Sequence, residues 1–316
     1  MSPKISVIVA AYNVEKYICR CLESLERQSL KEIEILIIND GSIDSTEKIS
    51  NEFQKKDKRF KVITQQNGGL SAARNTGIEY ARAKYIAFLD GDDFVEKSMY
   101  QTLYNKMTQD KSDLVICGFY KVWENEEFVQ QKKKIHKFNK NLLKGDILQK
   151  FLSKHDEPFV VAWNKLYKKD LIIDNNIWFE NRAFFEDIGF MARYLYYVSK
   201  ISIVDDSLIN YIQRDGSITR KYNPIIEESL RNTLKLIKEF CKKNKINNKY
   251  ERHISNLETR LFIYYKNYSM RNRVKENFNL ELSLSGIPLK HKLAVIALKL
   301  DIYEKAYKFV QVRKCQ

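Results

Sequence analysis

Proline and glycine are scarce, at four and ten in 316 residues, which excludes collagen-like repeats and linker-rich arrays. No uninterrupted apolar run approaches the ~18–20 residues of a bilayer-crossing helix, so the chain is not expected to thread a membrane. The five cysteines, at 19, 21, 117, 241 and 315, are odd in number and scattered. They form no disulfide framework, and a reducing cytoplasm is the simpler reading. His136, His155, His253 and His291 stand singly, without metal-site spacing. Cys19 and Cys21 point to different helix faces and have no second pair. Neither a G-x-x-x-x-G-K-S/T nor a G-x-G-x-x-G phosphate loop is present. Met1-Ser-Pro-Lys-Ile runs straight into strand-like sequence, without the basic-then-apolar pattern of a secretory signal. Together these absences point to a cytoplasmic globular protein.

What is there divides unevenly. A 44% apolar composition is enough to fill a core. The formal charge of +15 is concentrated at one end: residues 1–110 hold 16 Lys and Arg against 16 Asp and Glu, residues 111–220 hold 18 against 15, and residues 221–316 hold 21 against 9. A basic last third suits an anionic membrane surface, nucleic acid or an acidic partner, or is simply a solvated face.

Residues 1–120 alternate β-branched runs with helical patterns. Strands are expected at Ile5–Ala11, Ile33–Ile38, Lys61–Thr64 and Tyr85–Leu89, and a further one at Asp113–Tyr120. Helices are expected from about Glu15, after Asp44 or Ser45, and from Ser71 to Ala83. Such alternation implies an α/β fold with a mostly parallel, Rossmann-like sheet. Ligands in these sheets bind beyond the carboxyl ends of the strands. That rule selects Tyr12-Asn13, Asn39-Asp40-Gly41-Ser42 and Asp90-Gly91-Asp92-Asp93. Gln130–Lys137 reads as an exposed connection. Beyond about Pro224 the pattern is helical only, with spans near 224–244, 249–271 and 288–312. The last span has two apolar stripes, suited to a partner, a membrane or burial between neighbours. The expected organisation is an α/β domain over 1–220, in two halves at 1–112 and 113–220, followed by a basic helical region at 221–316.

Three carboxylates within four residues at 90–93 call for a hard divalent cation shared with phosphates, or for a ribose, unless the turn is merely acidic. Asp40 can accept from the N3–H of a uracil or cap the following helix. Asn67-Gly-Gly-Leu-Ser-Ala-Ala-Arg-Asn joins a glycine pair to a helix N-terminus. Such an N-terminus suits phosphate, with Arg74 one turn in.

The ordered set Ser6-Val-Ile-Val-Ala-Ala-Tyr-Asn13, Asn39-Asp-Gly-Ser42, Gly68-Gly-Leu-Ser-Ala-Ala-Arg-Asn75 and Phe88-Leu-Asp-Gly-Asp-Asp93 resembles the family 2 glycosyltransferases with the GT-A fold, of the bacterial capsule and exopolysaccharide type. One departure is Ala11, where that family commonly has proline. The resemblance implies an inverting transferase that uses a nucleotide-sugar, usually a UDP-sugar, with Mn²⁺ or Mg²⁺. It implies that Tyr12, Asn13, Asp40, Gly69, Arg74, Asp90 and Asp92 bind the nucleotide, with Asp92 and Asp93 at the metal. Glu186-Asp187 fits the family's acidic pair, with Asp187 as the base and Glu186 beside it; two acids at a helix N-terminus are also favourable there for the dipole alone. Trp163-Asn164-Lys165 is similar to a segment before that pair. Trp163 could stack on a sugar and Asn164 and Lys165 bind its oxygens, or the segment could be core. Arg214, in a Tyr-x-x-Arg-x-x-Ser string, would neutralise the leaving diphosphate. No Gln-x-x-Arg-Trp string is present, which argues against processive chain extension.

The expected acceptor is a saccharide, lipid-linked where the basic region rests on an anionic inner leaflet. A glycoprotein acceptor is the nearest variant. A non-catalytic membrane- or nucleic-acid-binding protein is the other class, opposed by intact acids at 40, 90, 92, 93 and 187. A homodimer through the last helix stays open, and no nucleic acid is expected.

Overall fold

The computed structural model describes residues 2–124, 130–136, 146–153, 157–181, 185–213, 224–246, 248–254 and 257. Its first half alternates β1 (Ile5–Ala11), α1 (Glu15–Glu26), β2 (Ile33–Asn39), α2 (Thr46–Lys56), β3 (Phe60–Thr64), α3 (Leu70–Tyr80) and β4 (Tyr85–Asp90). β1 and β2 are buried along their whole length. Continuous Val, Ile and Leu runs are what a parallel sheet covered on both faces requires. β2 and β4 flank β1, β3 lies outside β2, and all four are parallel. The order β3-β2-β1-β4 reverses the direction of winding beside β1. At such a switch point the strand ends open into a crevice, and Tyr12, Asp40 and Asp90 all lie there.

Local chemistry fixes the helices. α1 buries Ile18, Cys21, Leu22 and Leu25, three or four residues apart. Ser45 makes no side-chain cap bond to α2. Asp44 does the work, accepting from Thr46 N–H at 3.0 Å and from Glu15 N–H at 3.1 Å, so one carboxylate holds the starts of two helices. α3 presses onto β1 at Gly77, where a Cβ would lie 2.1 Å from Ile8 Cγ2. It stops at Tyr80, because Ala81 is already extended.

The second half adds β5 (Phe94–Val95), α4 (Met99–Asp110), β6 (Leu114–Glu124) and β7 (Gln130–His136). After α5 (Ile147–Ser153) come α6 (Glu157–Val160), β8 (Lys165–Lys168), α7 (Lys169–Asp174), α8 (Glu186–Tyr197) and β9 (Ile201–Gln213). Here the sheet is mixed. β8 runs antiparallel between β4 and β6, β9 is parallel to β6, and β5 is antiparallel to β9. Gln130–His136, expected as a connection, is a strand paired antiparallel to β6. Its polar sequence hid it, since a strand at the margin of a sheet need not alternate with apolar residues. Beneath α8, Phe88 meets Tyr167, Phe179 and Phe190 edge-on at 5.5, 5.1 and 5.9 Å, and Phe179 stacks on Phe190 at 4.0 Å. Such aromatic pairs add about 0.5–1.5 kcal/mol each beyond their buried area.

The chain divides into two compact units, residues 1–145 with 156–220, and residues 146–155 with 221–316. Residues 146–155 thus leave the domain to which the sequence reading gave them. In the second unit α9 (Pro224–Lys243) buries Leu230, Leu234, Ile237 and Cys241. Asp146 accepts from Tyr250 Oη at 2.7 Å and pairs with Lys249 at 2.7 Å. The expected helix at 249–271 is helical over 248–254; its remainder and the span at 288–312, with the membrane and dimer readings attached to it, lie outside the described residues. Among the described residues no helix is long and apolar enough to cross a membrane.

Candidate active site

The end of β1 is knotted to the loop after β2. Asn13, at φ 50°, accepts from Ile43 N–H at 3.0 Å, and its own N–H donates to Ser42 Oγ. This leaves the Tyr12 ring 49% exposed at the crevice. Asp40, only 2% exposed, does not cap α2. Its Oδ1 accepts from Gly68 N–H at 2.9 Å and Gln65 Nε2 at 2.7 Å, and its Oδ2 from Gly69 N–H at 2.7 Å. Gly69 sits at φ 88°, the left-handed region that glycine enters at least cost, and a Cβ there would meet nothing within 4 Å.

Arg74, one turn into α3, joins the two halves of the sheet. Its guanidinium is buried with 2% of the side chain exposed. Nη2 donates to Asp90 Oδ1 at 3.0 Å, while Nη1 donates to Asp187 Oδ1 at 2.7 Å and Glu186 Oε1 at 3.0 Å. The Phe179 ring lies 5.2 Å beneath it. Burial works against the charge on Arg74, yet Asp187, Asp90 and Glu186 hold it protonated well above its ordinary range. The two acids open α8, directly after Phe185, which is itself left-handed at φ 67°. A non-glycine residue held there costs about 1–2 kcal/mol, and the turn aims both carboxylates back at α3. Burial, followed by the neighbouring Asp187 charge, pushes Glu186 up to about 7. Burial also raises Asp187 above the usual carboxylate range, against the opposing pull of Arg74 and of Ala162 N–H, which donates to Asp187 Oδ2 at 3.0 Å.

Residues 6–175 match the family described as Glycosyl transferase family 2. Over 293 residues the chain is 33% identical to the uncharacterized glycosyltransferase EpsJ of Bacillus subtilis strain 168, covering 92% of this chain and 77% of that protein. The chain belongs to glycosyl transferase family 2. A second relative, the putative glycosyltransferase EpsH of the same organism, is 33% identical over 276 residues, covering 83% and 75% of the two chains. Residues 1–349 of Staphylococcus aureus TarS, solved in complex with UDP-GlcNAc, superpose with a TM-score of 0.67 at 23% identity, covering 96% of this chain and 91% of that one. The fold is GT-A, and the protein is a glycosyltransferase.

This family 2 glycosyltransferase brings Tyr12, Asn13, Asp40, Gly69, Arg74, Asp90, Glu186 and Asp187 to the strand-end crevice and its rim. Others are placed differently from expectation. Asp93 is 1% exposed and its Oδ1 accepts from Ile212 N–H at 2.8 Å, which ties the acidic turn to β9. Asp92 is half-buried. Trp163 is core, packed on Phe119 at 4.8 Å and Tyr211 at 5.1 Å, and does not stand open to a sugar. Asn164 and Lys165 are fully buried, where Asn164 donates to Cys117 O at 2.8 Å and accepts from Lys165 Nζ at 2.6 Å. Their backbone turns into β8, which explains why polar side chains end up inside. Arg214 lies outside the described residues. Among the described residues no group of three or more His, Cys, Asp or Glu is set to hold a metal ion. A Mn²⁺ or Mg²⁺ ion bound largely through substrate phosphates needs only one or two carboxylates. Asp92, half-buried in the acidic turn, could supply one such carboxylate. Sequence reasoning missed Gln65, Ala162 and Phe179, which act through an amide, a backbone N–H and a ring face. Only Gln65, three residues before the glycine pair, carried any local signal.

Proposed function

We propose that the protein transfers one sugar, with inversion, from a nucleoside-diphosphate sugar to a saccharide acceptor, and that Asp187 is the base. The observation that supports this reading is the buried Arg74 guanidinium shared by Asp90, from the nucleotide side, and by Asp187, from the acceptor side. Asp187 takes the proton of the acceptor hydroxyl as that oxygen bonds to the anomeric carbon. The bond from that carbon to the diphosphate oxygen breaks on the opposite face, and the electron pair leaves with the nucleoside diphosphate. A base whose pKa is raised toward the working pH accepts the proton more readily. Tyr12 offers a ring for the base to stack on, and Asp40 holds the Gly68–Gly69 turn that borders it. A divalent ion at Asp92 would supply positive charge to the leaving diphosphate when bound. The donor is proposed to be a UDP-sugar, in keeping with the UDP-GlcNAc held by the TarS structure. The setting is assembly of a surface polysaccharide, with a lipid-linked acceptor and a basic residue 221–316 region at the inner membrane face.

Thermal-shift measurements with UDP-, GDP- and dTDP-sugars, with Mn²⁺ and with EDTA, on wild type and Asp92→Asn test the donor site. Stabilisation by one nucleotide class that needs both metal and Asp92 is expected; no shift with any nucleotide overturns the reading. Asp187→Asn should keep that shift and lose about 10²–10⁴ in turnover, the usual share of a general base.

A further inference from the structure

Lys165 is a lysine with no exposed surface, and sugar binding does not account for it. Its ammonium donates to Asn164 Oδ1 at 2.6 Å and to the carbonyl of Val161. Both partners are acceptors, as a group with three donors and no acceptor requires. The N–H of that same peptide group, on Ala162, donates to Asp187 Oδ2 at 3.0 Å. A single amide therefore stands between a buried cation and the base, with its oxygen toward the lysine and its hydrogen toward the carboxylate. Hydrogen-bonded groups in series polarise one another, and a cation on the carbonyl strengthens the amide N–H as a donor.

The charges around Asp187 give this arrangement a purpose. Arg74 from α3 faces it, together with Asp90 from β4 and Glu186 from its own helix, while Tyr167 approaches from β8. Three carboxylates share one guanidinium, and such an excess of partly desolvated negative charge favours protonated, inactive acids. The positive charge of Lys165 acts in the opposite sense on Asp187.

We infer that Lys165 is a positioning residue that holds Asp187 oriented and ionised through the Val161–Ala162 peptide group. The inference rests on the reading of Asp187 as base, and its test does not depend on turnover. In the full-length protein labelled with ¹³C-carboxyl aspartate, the Asp187 resonance is assigned by its loss in Asp187→Asn and followed by NMR against pH. Lys165→Met should raise its midpoint by about one unit, a tenfold weaker ionisation. Lys165→Gln keeps a donor for Val161 O without the charge and should move the midpoint the same way; it serves where the methionine variant does not fold. Lys165→Arg should keep the midpoint near wild type. An unchanged midpoint in the uncharged variants overturns the inference, as does an arginine variant that shifts as far as they do. Retained turnover in Asp187→Asn would instead sink the reading of Asp187 as base and leave the titration result standing.

Discussion

The two halves of the catalytic sheet hold their carboxylates in opposite ways. Asp40, in the first half, is satisfied by backbone N–H groups of Gly68 and Gly69 and by the Gln65 amide. No second charge is needed to keep it in place. Glu186 and Asp187, in the second half, share one guanidinium that arrives from α3 and is already shared with Asp90, and Asp187 has the Ala162 N–H on its other oxygen. A carboxylate fixed by backbone N–H groups and an amide makes a stable scaffold; a pair that shares one guanidinium with a third acid makes a site whose protonation responds to its surroundings.

Variants can break that comparison. Arg74→Met should have the largest effect, because it leaves three half-buried acids without their buried cation. Losing one partner of a buried ion pair costs about 3–5 kcal/mol, read as a lower urea midpoint. Arg74→Lys should recover part of this, since a point charge cannot serve both sides of the fork. A methionine variant as stable as wild type would erase the distinction between the halves. Asp40→Asn should cost about 1–3 kcal/mol, because one amide face turns a donor toward a glycine N–H. Trp163→Phe should lower stability by about 1–2 kcal/mol, in the ordinary range for a core substitution. Sugar-nucleotide Kd should not change, whereas a weakened Kd would return Trp163 to the sugar.

The finest distinction comes from Glu186→Gln. A folded-state pKa near 7 against an ordinary carboxylate value of 4.5 means that the folded protein binds more protons between those pH values. Wild-type stability from this group therefore falls as pH rises from about 4.5 to 7 and is level above. The glutamine variant should lack that slope, so its thermal midpoint relative to wild type should climb from pH 5 to pH 7. Equal pH slopes would show that the pair is not strained by burial.

The sequence disclosed the two halves to different depths. β1, β2 and β4 were readable because buried parallel strands are written as near-continuous apolar runs, and the turns after them carry Asn, Asp and Gly. Glu186-Asp187 was readable as an acidic helix start. What joined it to Arg74 was not, since those residues lie 112 and 113 positions apart. Trp163-Asn164-Lys165 stayed between a sugar site and core for a related reason: its polar types suggest a binding surface, and only its position at the start of β8, paired between β4 and β6, turns it inward. Gln130–His136 failed on composition, with three lysines in a strand that, among the described residues, pairs only with β6.

The second unit is discontinuous along the chain. Asp146, which meets Lys249 and Tyr250, is encoded some hundred residues upstream of them, within the span of the first unit. A gene shortened after codon 220 would therefore not release a clean catalytic module, because it would strand residues 146–155 without the helices they fold with. Exchange of the basic region between relatives has to carry that upstream segment along, so the two stretches are expected to be inherited as one cassette.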